Sequence, residues 1–162
     1  MRGGPLQSRA LPVWIAALAL IRVAPCQADS GAAGASVFAN HCAVCHGPQA
    51  AGIPGSFPSL HEQVVAFAKA PPGRDYLAMV VTTGLVGDLL VGGITYRGVM
   101  PAQSGLSESD VAAVLNYLAS SLGRNKSAAA PFTAKEVTEI RARHPDKTPM
   151  ATHVLRPAAA GS

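Results

Sequence analysis

Apolar residues recur at helical spacing in four short segments of this chain, which predicts amphipathic helices because residues three and four apart share one helix face. The predicted helices cover residues 34–45, 61–70, 75–83 and 108–122. Between the first two, prolines and glycines interrupt any period over residues 47–60, which predicts a loop. Pro71-Pro72-Gly73 is predicted to stop the second helix. The central chain is therefore expected to be a helical domain of short elements.

The helix predicted over residues 108–122 has clear signals at both ends. Ser107 is a favourable N-cap, and Asp110 three residues later comes close to a capping box. Gly123 is a typical C-terminal stop. The apolar residues of the segment share one face: Val111, Val114, Leu115, Leu118 and Leu122. This face is expected to be buried against the rest of the domain.

Residues 89–96 lose the helical period. The pair Gly92-Gly93 stands between β-forming residues, a pattern typical of a small hairpin. The following residues 97–102 (Arg-Gly-Val-Met-Pro-Ala) are predicted to form a loop.

The first 28 residues have the order of a secretory signal peptide. Arg2 and Arg9 precede an apolar run of eleven residues from Leu11 to Ile21. That run is shorter than the about 20 residues that span a bilayer, and Ala28 is the expected last residue before cleavage. An uncleaved anchor and a lipid on Cys26 are the alternatives. After cleavage no stable membrane span is expected.

Charge is distributed unevenly along the chain, whose formal net charge is +4. The signal peptide, residues 1–28, holds three bases and no acid. Residues 29–123, the predicted domain, hold three bases and six acids, whereas residues 124–162, a basic tail, hold seven bases and three acids. Because the bases do not cluster on one periodic face and aromatic residues are only 5% of the chain, no binding to nucleic acid is expected.

The basic tail contains stretches of alanine and proline and one predicted helix. Thr133 and Glu136 form a capping-box pattern that opens this helix, which continues to about Arg143. His144-Pro145 ends it. The remaining residues are expected to be mobile.

Candidate chemistry concentrates in the segment Cys42-Ala43-Val44-Cys45-His46. Two thiols three positions apart, followed directly by an imidazole, form the C-x-x-C-H pattern of covalent haem attachment. The pattern occurs once, so one haem c with its iron is expected. A disulfide and half of a zinc site are the alternatives, and the sequence offers no second Cys or His pair with the spacing that zinc needs.

The surroundings of this motif resemble the class I c-type cytochromes over residues 34–123. The supporting residues are Gly34 and Phe38 before the motif, Pro58 and Leu60 after it, and Met100-Pro101 before the last amphipathic helix. The resemblance implies an all-α cytochrome c fold in which several short helices wrap round one covalent haem, with a small hairpin-like loop before a methionine ligand. It also implies that Gly34 and Phe38 cross Val114 and Tyr117, where glycine lets the two helices approach closely.

The resemblance implies a role for each site residue. Cys42 and Cys45 carry the thioethers. His46 is the proximal iron ligand, and its ring donates a hydrogen bond to the carbonyl oxygen of Pro58. Met100 is the distal ligand. The other methionines beyond the signal peptide are weaker candidates: Met79 in a predicted helix and Met150 in the tail.

The implied function is electron transfer rather than catalysis, because a thioether ligand raises the potential of haem iron and fills its second axial position. We expect a periplasmic carrier of the Gram-negative type that passes electrons from a periplasmic dehydrogenase to a terminal oxidase or another cytochrome. Its partners are expected to dock on an uncharged rim: Ala43, Val44, Val99 and Ala102. The alternatives are a haem c subunit fixed in a multi-subunit dehydrogenase complex, with the tail as docking arm, and a haem sensor or enzyme with an open distal site.

Overall fold

The computed structural model describes residue 1, residues 30–122 and residues 129–158, so residues 2–28 of the predicted signal peptide, including Cys26, and the predicted helix stop at Gly123 lie outside the described residues. The described elements are α1 (Ser30–His41), α2 (Ala43–His46), α3 (His61–Phe67), α4 (Pro71–Thr83), β1 (Leu85–Val91), β2 (Ile94–Met100), α5 (Glu108–Tyr117), α6 (Ala134–Arg143) and α7 (Pro149–Val154). Within these ranges, no helix combines the length and the apolar character needed to cross a bilayer.

The first helix lies directly on α5 at Gly34. A Cβ atom at this position would be 2.2 Å from the carbonyl oxygen of Ala113 and 2.7 Å from Cβ of Tyr117. No side chain fits at these distances, so glycine is required for the contact. One turn later, the ring of Phe38 is buried and lies 5.8 Å from that of Tyr117, centre to centre. The close helix contact implied by the resemblance is therefore present.

Strands β1 and β2 form an antiparallel hairpin in which Leu85 pairs with Met100 and Val91 pairs with Ile94. Gly92 and Gly93 make its turn with positive φ angles of 56° and 77°. The class all-α is therefore too narrow, and the loop predicted over residues 97–102 is a strand up to residue 100. Pairing with residues 85–88 imposes this conformation, and neither segment alternates in hydrophobicity along the sequence.

Three of the predicted helices differ from the structure, in a boundary, in continuity or in the type of their last turn. Helix α4 begins at Pro71, where the sequence predicted a break between two helices. Proline is well suited to the first turn of a helix, because its missing N–H would have no partner there. The first predicted helix is divided at Cys42 into α1 and α2. The last helix of the domain continues beyond Tyr117 as a π-helical turn, Leu118–Leu122.

The described part of the tail packs onto the domain. The side chain of Asn116 exchanges two hydrogen bonds with the backbone of Phe132, of 2.9 and 2.7 Å, and Phe132 is buried. Helix α7 lies beside β1, where Nε2 of His153 donates to the carbonyl oxygen of Asp88 over 2.9 Å. The sequence predicted α6 but not α7, because a helix of six residues is too short to show a period.

Ion pairs join the tail to the domain. They are Arg74 with Glu136, Arg141 with Glu108, and Arg143 with Asp75. Two of them bring a base of the tail to an acid of the domain. Part of the opposite charge of domain and tail is thus paired within the chain, so the charge contrast by itself does not require an external partner for the tail.

Candidate haem site

A cavity of about 430 Å³ lies between the 42–46 motif and the hairpin. Cys45, His46 and Met100 line it. Most of its remaining wall is apolar and includes Phe57, Leu60, Phe67, Leu77, Leu85 and Leu89. Such a cavity suits a large apolar ring rather than a polar substrate.

The motif occupies one helical turn that follows α1 directly. The N–H of Cys42 donates to the carbonyl oxygen of Phe38 over 2.9 Å, and the N–H of His46 donates to that of Cys42 over 3.0 Å. This turn places Cys45 and His46 at the cavity, while Cys42 packs against the core. The side chain of Val44, on the same turn, is exposed.

Both thiols are free and half-buried. Burial, with a smaller effect of Cys45, raises the pKa of Cys42 to about 11. Reactive cysteines of thiol–disulfide exchange sites have lowered pKa values instead, so Cys42 does not have the character of such a thiol. Among residues 30–122 and 129–158 there is no group of three or more His, Cys, Asp or Glu side chains that could hold a metal ion.

His46 is buried, and its Nδ1 atom lies 2.9 Å from the carbonyl oxygen of Pro58. These are the two atoms that the resemblance paired. Because a carbonyl oxygen only accepts, Nδ1 carries the proton and Nε2 keeps its lone pair. Burial lowers the pKa of the ring, and the hydrogen bond to Pro58 opposes this effect. A neutral imidazole with a free Nε2 is the form that binds iron.

Gly52 fixes the position of the carbonyl group that His46 meets. Its φ angle is +70°, and a Cβ atom there would be 2.3 Å from the carbonyl oxygen of Phe57 and 2.6 Å from the carbonyl carbon of Pro58. The N–H of Gly52 donates to the carbonyl oxygen of His46 over 2.9 Å. Glycine thereby allows the loop to fold back tightly against the histidine.

Met100 lies at the end of β2, half-buried at the cavity. Gly84, with a φ angle of +85°, lets the end of α4 pass close to it, since a Cβ atom there would be 2.5 Å from the Met100 carbonyl oxygen. Among the described methionines, Met100 alone lines the cavity. Met79 is fully buried in α4, and Met150 is exposed on α7.

The Cys45 thiol, an imidazole nitrogen and a thioether thus line one apolar cavity, and the Cys42 thiol lies on the same helical turn as Cys45. This donor set fits a haem c, whose ring is apolar and whose iron takes histidine nitrogen and methionine sulfur as axial ligands. Sequence reasoning did not assign four polar residues at the same cavity: Gln63, Tyr76, Tyr96 and Arg97. Gln63, Tyr76 and Arg97 carry no local motif, and only the tertiary fold brings all four to this wall.

Known proteins are similar to this chain in sequence. Residues 29–118 match the sequence model of a family described as cytochrome c oxidase, cbb3-type, subunit III. One cytochrome c-552 of Thermus thermophilus is 40% identical over 131 residues, which cover 80% of this chain and 85% of that protein. A second cytochrome c-552 of Thermus thermophilus is 41% identical over 112 residues, which cover 68% of this chain and 85% of the relative.

Proposed function

Because this chain belongs to the monohaem class I c-type cytochromes, we propose that it carries single electrons in the periplasm, from a dehydrogenase towards a terminal oxidase or another cytochrome. As a member of the family it holds covalently bound haem c with iron and is an electron-transfer protein, not an enzyme. Its partners are redox proteins. The haem, when bound, supplies the one-electron couple.

Cys42 and Cys45 form the thioethers, His46 is the proximal ligand through Nε2, and Met100 is the distal ligand. The observation that carries this assignment is that Cys45, His46 and Met100 line a single apolar cavity. The Pro58 carbonyl oxygen fixes the ring plane of His46 and makes its Nε2 a stronger donor.

With His46 and Met100 both holding the iron, a change of oxidation state would need little nuclear rearrangement, and small molecules would be excluded from the metal. This speaks against a sensor or enzyme with an open distal site. Carbon monoxide separates the two: the reduced protein is expected to bind it poorly at neutral pH. Rapid and complete binding would favour the open site.

Partners dock on the uncharged rim of the cavity. Val99 lines the cavity and is 67% exposed, and Val44, 85% exposed, belongs to the haem motif. Ile53 is a further exposed apolar residue of the loop that holds Pro58. Arg97, a cation at this cavity, is paired with Asp88 over 3.1 Å, so the hairpin adds little net charge. Apolar contacts then dominate docking, and electron transfer is expected to depend weakly on salt.

Residues 1–28 support the periplasmic location by their signal-peptide pattern. N-terminal sequencing of the protein from a periplasmic fraction is expected to begin at Asp29. A mature chain that retains residues 1–28 would support the membrane-anchored alternative.

The proposed function is tested by stopped-flow mixing of the ferrous protein with a membrane fraction that contains the terminal oxidases. The expected result is oxidation of the haem within the turnover time of the oxidase, and a similar rate at low and high salt. Val99→Glu places a charge on the rim and is expected to slow the reaction several-fold, whereas Leu90→Glu, a change at another exposed apolar residue of the hairpin, serves as control. Equal rates for all three proteins would contradict this docking surface.

A further inference from the structure

Arg156 is a tail arginine that has no carboxylate partner among the described residues. It follows α7, and its Nη2 donates to Oε1 of Gln63 over 3.0 Å and to the carbonyl oxygen of Leu90 over 2.9 Å. Its Nε atom is buried and has no hydrogen-bond partner there. The other arginines within residues 30–122 and 129–158 each form an ion pair with an acid, and they are Arg74, Arg97, Arg141 and Arg143.

The two side chains that receive Arg156 belong to the cavity wall. Gln63 and Tyr76 both line the cavity. Burial raises the pKa of Tyr76 to about 12, and the nearby Arg156 guanidinium opposes this effect. Phe67 lies beneath the guanidinium, whose Cζ atom is 5.8 Å from the ring centre. Arg156 is thus placed directly behind this wall.

Arg156 orients Gln63 so that its amide group can donate into the cavity. Since Oε1 of Gln63 accepts from the guanidinium, its NH₂ group remains available, and it donates to no other described residue. The Tyr76 hydroxyl lines the same wall and keeps its proton for an acceptor, because burial raises its pKa to about 12. A cation behind two donors strengthens both of them. Two donors at the cavity wall with a cation behind them suit an anionic ligand.

A partly buried cation without a counter-charge is unfavourable unless a ligand supplies the missing negative charge nearby. Three ion pairs already hold the tail to the domain, so attachment of the tail does not require Arg156. The group that the cavity fits, haem c, carries carboxylates on its propionate side chains.

We propose that Gln63 and Tyr76 donate to a propionate carboxylate of the haem and that Arg156, behind them, balances its negative charge, so that the C-terminal tail completes the cofactor site. The inference rests on the proposed haem site and extends it to a residue outside the family match, which ends at residue 118. Arg156 acts here as a positioning residue that neutralises a carboxylate beside the haem. Neutralising that carboxylate favours ferrous iron and raises the potential.

The test compares three variants of the full holoprotein: Arg156→Gln, Arg156→Lys and, as a matched control, Arg141→Gln. Each glutamine variant removes one tail cation, but Arg141 pairs with Glu108 away from the cavity. Spectroelectrochemistry gives the ferrous-to-ferric ratio at a fixed applied potential. We expect Arg156→Gln to lower this ratio roughly three- to tenfold, Arg156→Lys to restore most of it, and Arg141→Gln to leave it unchanged.

Thermal unfolding of holoprotein separates positioning from folding. A merely structural Arg156 would leave the ratio of Arg156→Gln equal to that of Arg141→Gln even if both unfold earlier, and that result overturns the inference. If Arg156→Gln does not fold, Tyr76→Phe decides, because it keeps the ring that packs on Phe67 at 5.4 Å. An unchanged ratio in Tyr76→Phe then overturns the inference.

The failure of this inference is distinguishable from failure of the proposed function. If the wild-type protein has a normal haem c spectrum but Arg156→Gln has the same potential as wild type, only the role of Arg156 is overturned. A wild-type protein without covalent haem overturns both.

Discussion

Arg74 and Glu136, which lie 62 residues apart, form a two-pronged ion pair: Nε and Nη2 lie 2.5 and 2.6 Å from the two carboxylate oxygens. The Arg74 side chain is only 12% exposed, and its guanidinium stacks 3.8 Å from the ring centre of Phe132. Its Nη1 also donates to the carbonyl oxygens of Ala68 and Ala130. The domain and its tail therefore meet at a nearly buried arginine whose charge is balanced by an acid of the tail.

Glu136→Ala is expected to destabilise the protein by about 2–3 kcal/mol, because it leaves the Arg74 guanidinium desolvated without a counter-charge. Glu139 lies on the same helix and forms an exposed pair with Lys135 at 3.7 Å. Glu139→Ala therefore serves as the control, with an expected loss of about 0.5 kcal/mol or less. Urea unfolding of the two variants measures the difference. Equal losses would mean that the Arg74 pair does not anchor the tail.

Gly52 and Gly55 allow the contact at the histidine to be tested separately from backbone strain. Both have positive φ angles, of +70° and +77°, but only Gly52 would bring a Cβ atom against the loop that presents Pro58. Gly55→Ala is expected to cost about 1 kcal/mol from its backbone conformation alone. Gly52→Ala is expected to cost clearly more and to raise the reduction potential, because it displaces the acceptor of His46 Nδ1 and a weaker nitrogen donor stabilises ferric iron less.

For Gly52→Ala and Gly55→Ala, the free energy of unfolding and the reduction potential of the holoprotein are measured. The NMR signal of the His46 Nδ1 proton reports the hydrogen bond directly. We expect this proton to exchange rapidly with solvent in Gly52→Ala and slowly in Gly55→Ala. Similar potentials for both variants would contradict a role of the Pro58 carbonyl in tuning the ligand.

The cap of α5 is expected to give a pH dependence at acid pH. Hydrogen bonds from the Ser107 hydroxyl and backbone, with a small effect of His41, lower the pKa of Asp110 below its ordinary value of 3.8, although slight burial opposes them. A carboxyl group with a lowered pKa stabilises the folded state above that ordinary value, and this contribution is lost as the pH falls through the folded-state pKa. Asp110→Asn is thus expected to be less stable than wild type at pH 7 and to approach it below pH 3.

Unfolding free energies at the two pH values check this expectation. Ser107→Ala removes the reciprocal partner and is expected to cost about 1 kcal/mol at neutral pH. A difference between Asp110→Asn and wild type that stays constant from pH 7 to pH 3 would exclude the capping carboxylate as its source.

Local signals in the sequence predicted much of this structure. The C-x-x-C-H motif needs only consecutive residues, and the ends of α5 are encoded by Ser107 and Asp110 within one turn. Gly34 was a sound guide because its requirement is steric and independent of the rest of the sequence. Such features are predictable because their cause lies within a few residues.

Long-range pairing explains what the sequence did not predict. Residues 97–100 became a strand through their partners at 85–88, and α7 forms where it can lie on β1. The charge contrast between domain and tail was interpreted as a sign of an external partner, although Arg141 and Arg143 find their acids at Glu108 and Asp75 within the chain. Composition gives the sign of the charge on such surfaces, but it does not show which part of the chain or which partner covers them.

The central claim is that His46 and Met100 bind one haem iron from the same cavity. The ferric absorption spectrum of Met100→Ala, recorded beside Met150→Ala as a matched control, tests it most directly. We expect the weak long-wavelength charge-transfer band of a methionine–iron bond in wild type and in Met150→Ala, and its complete loss in Met100→Ala together with a lower potential. A band that persists in Met100→Ala would contradict the account.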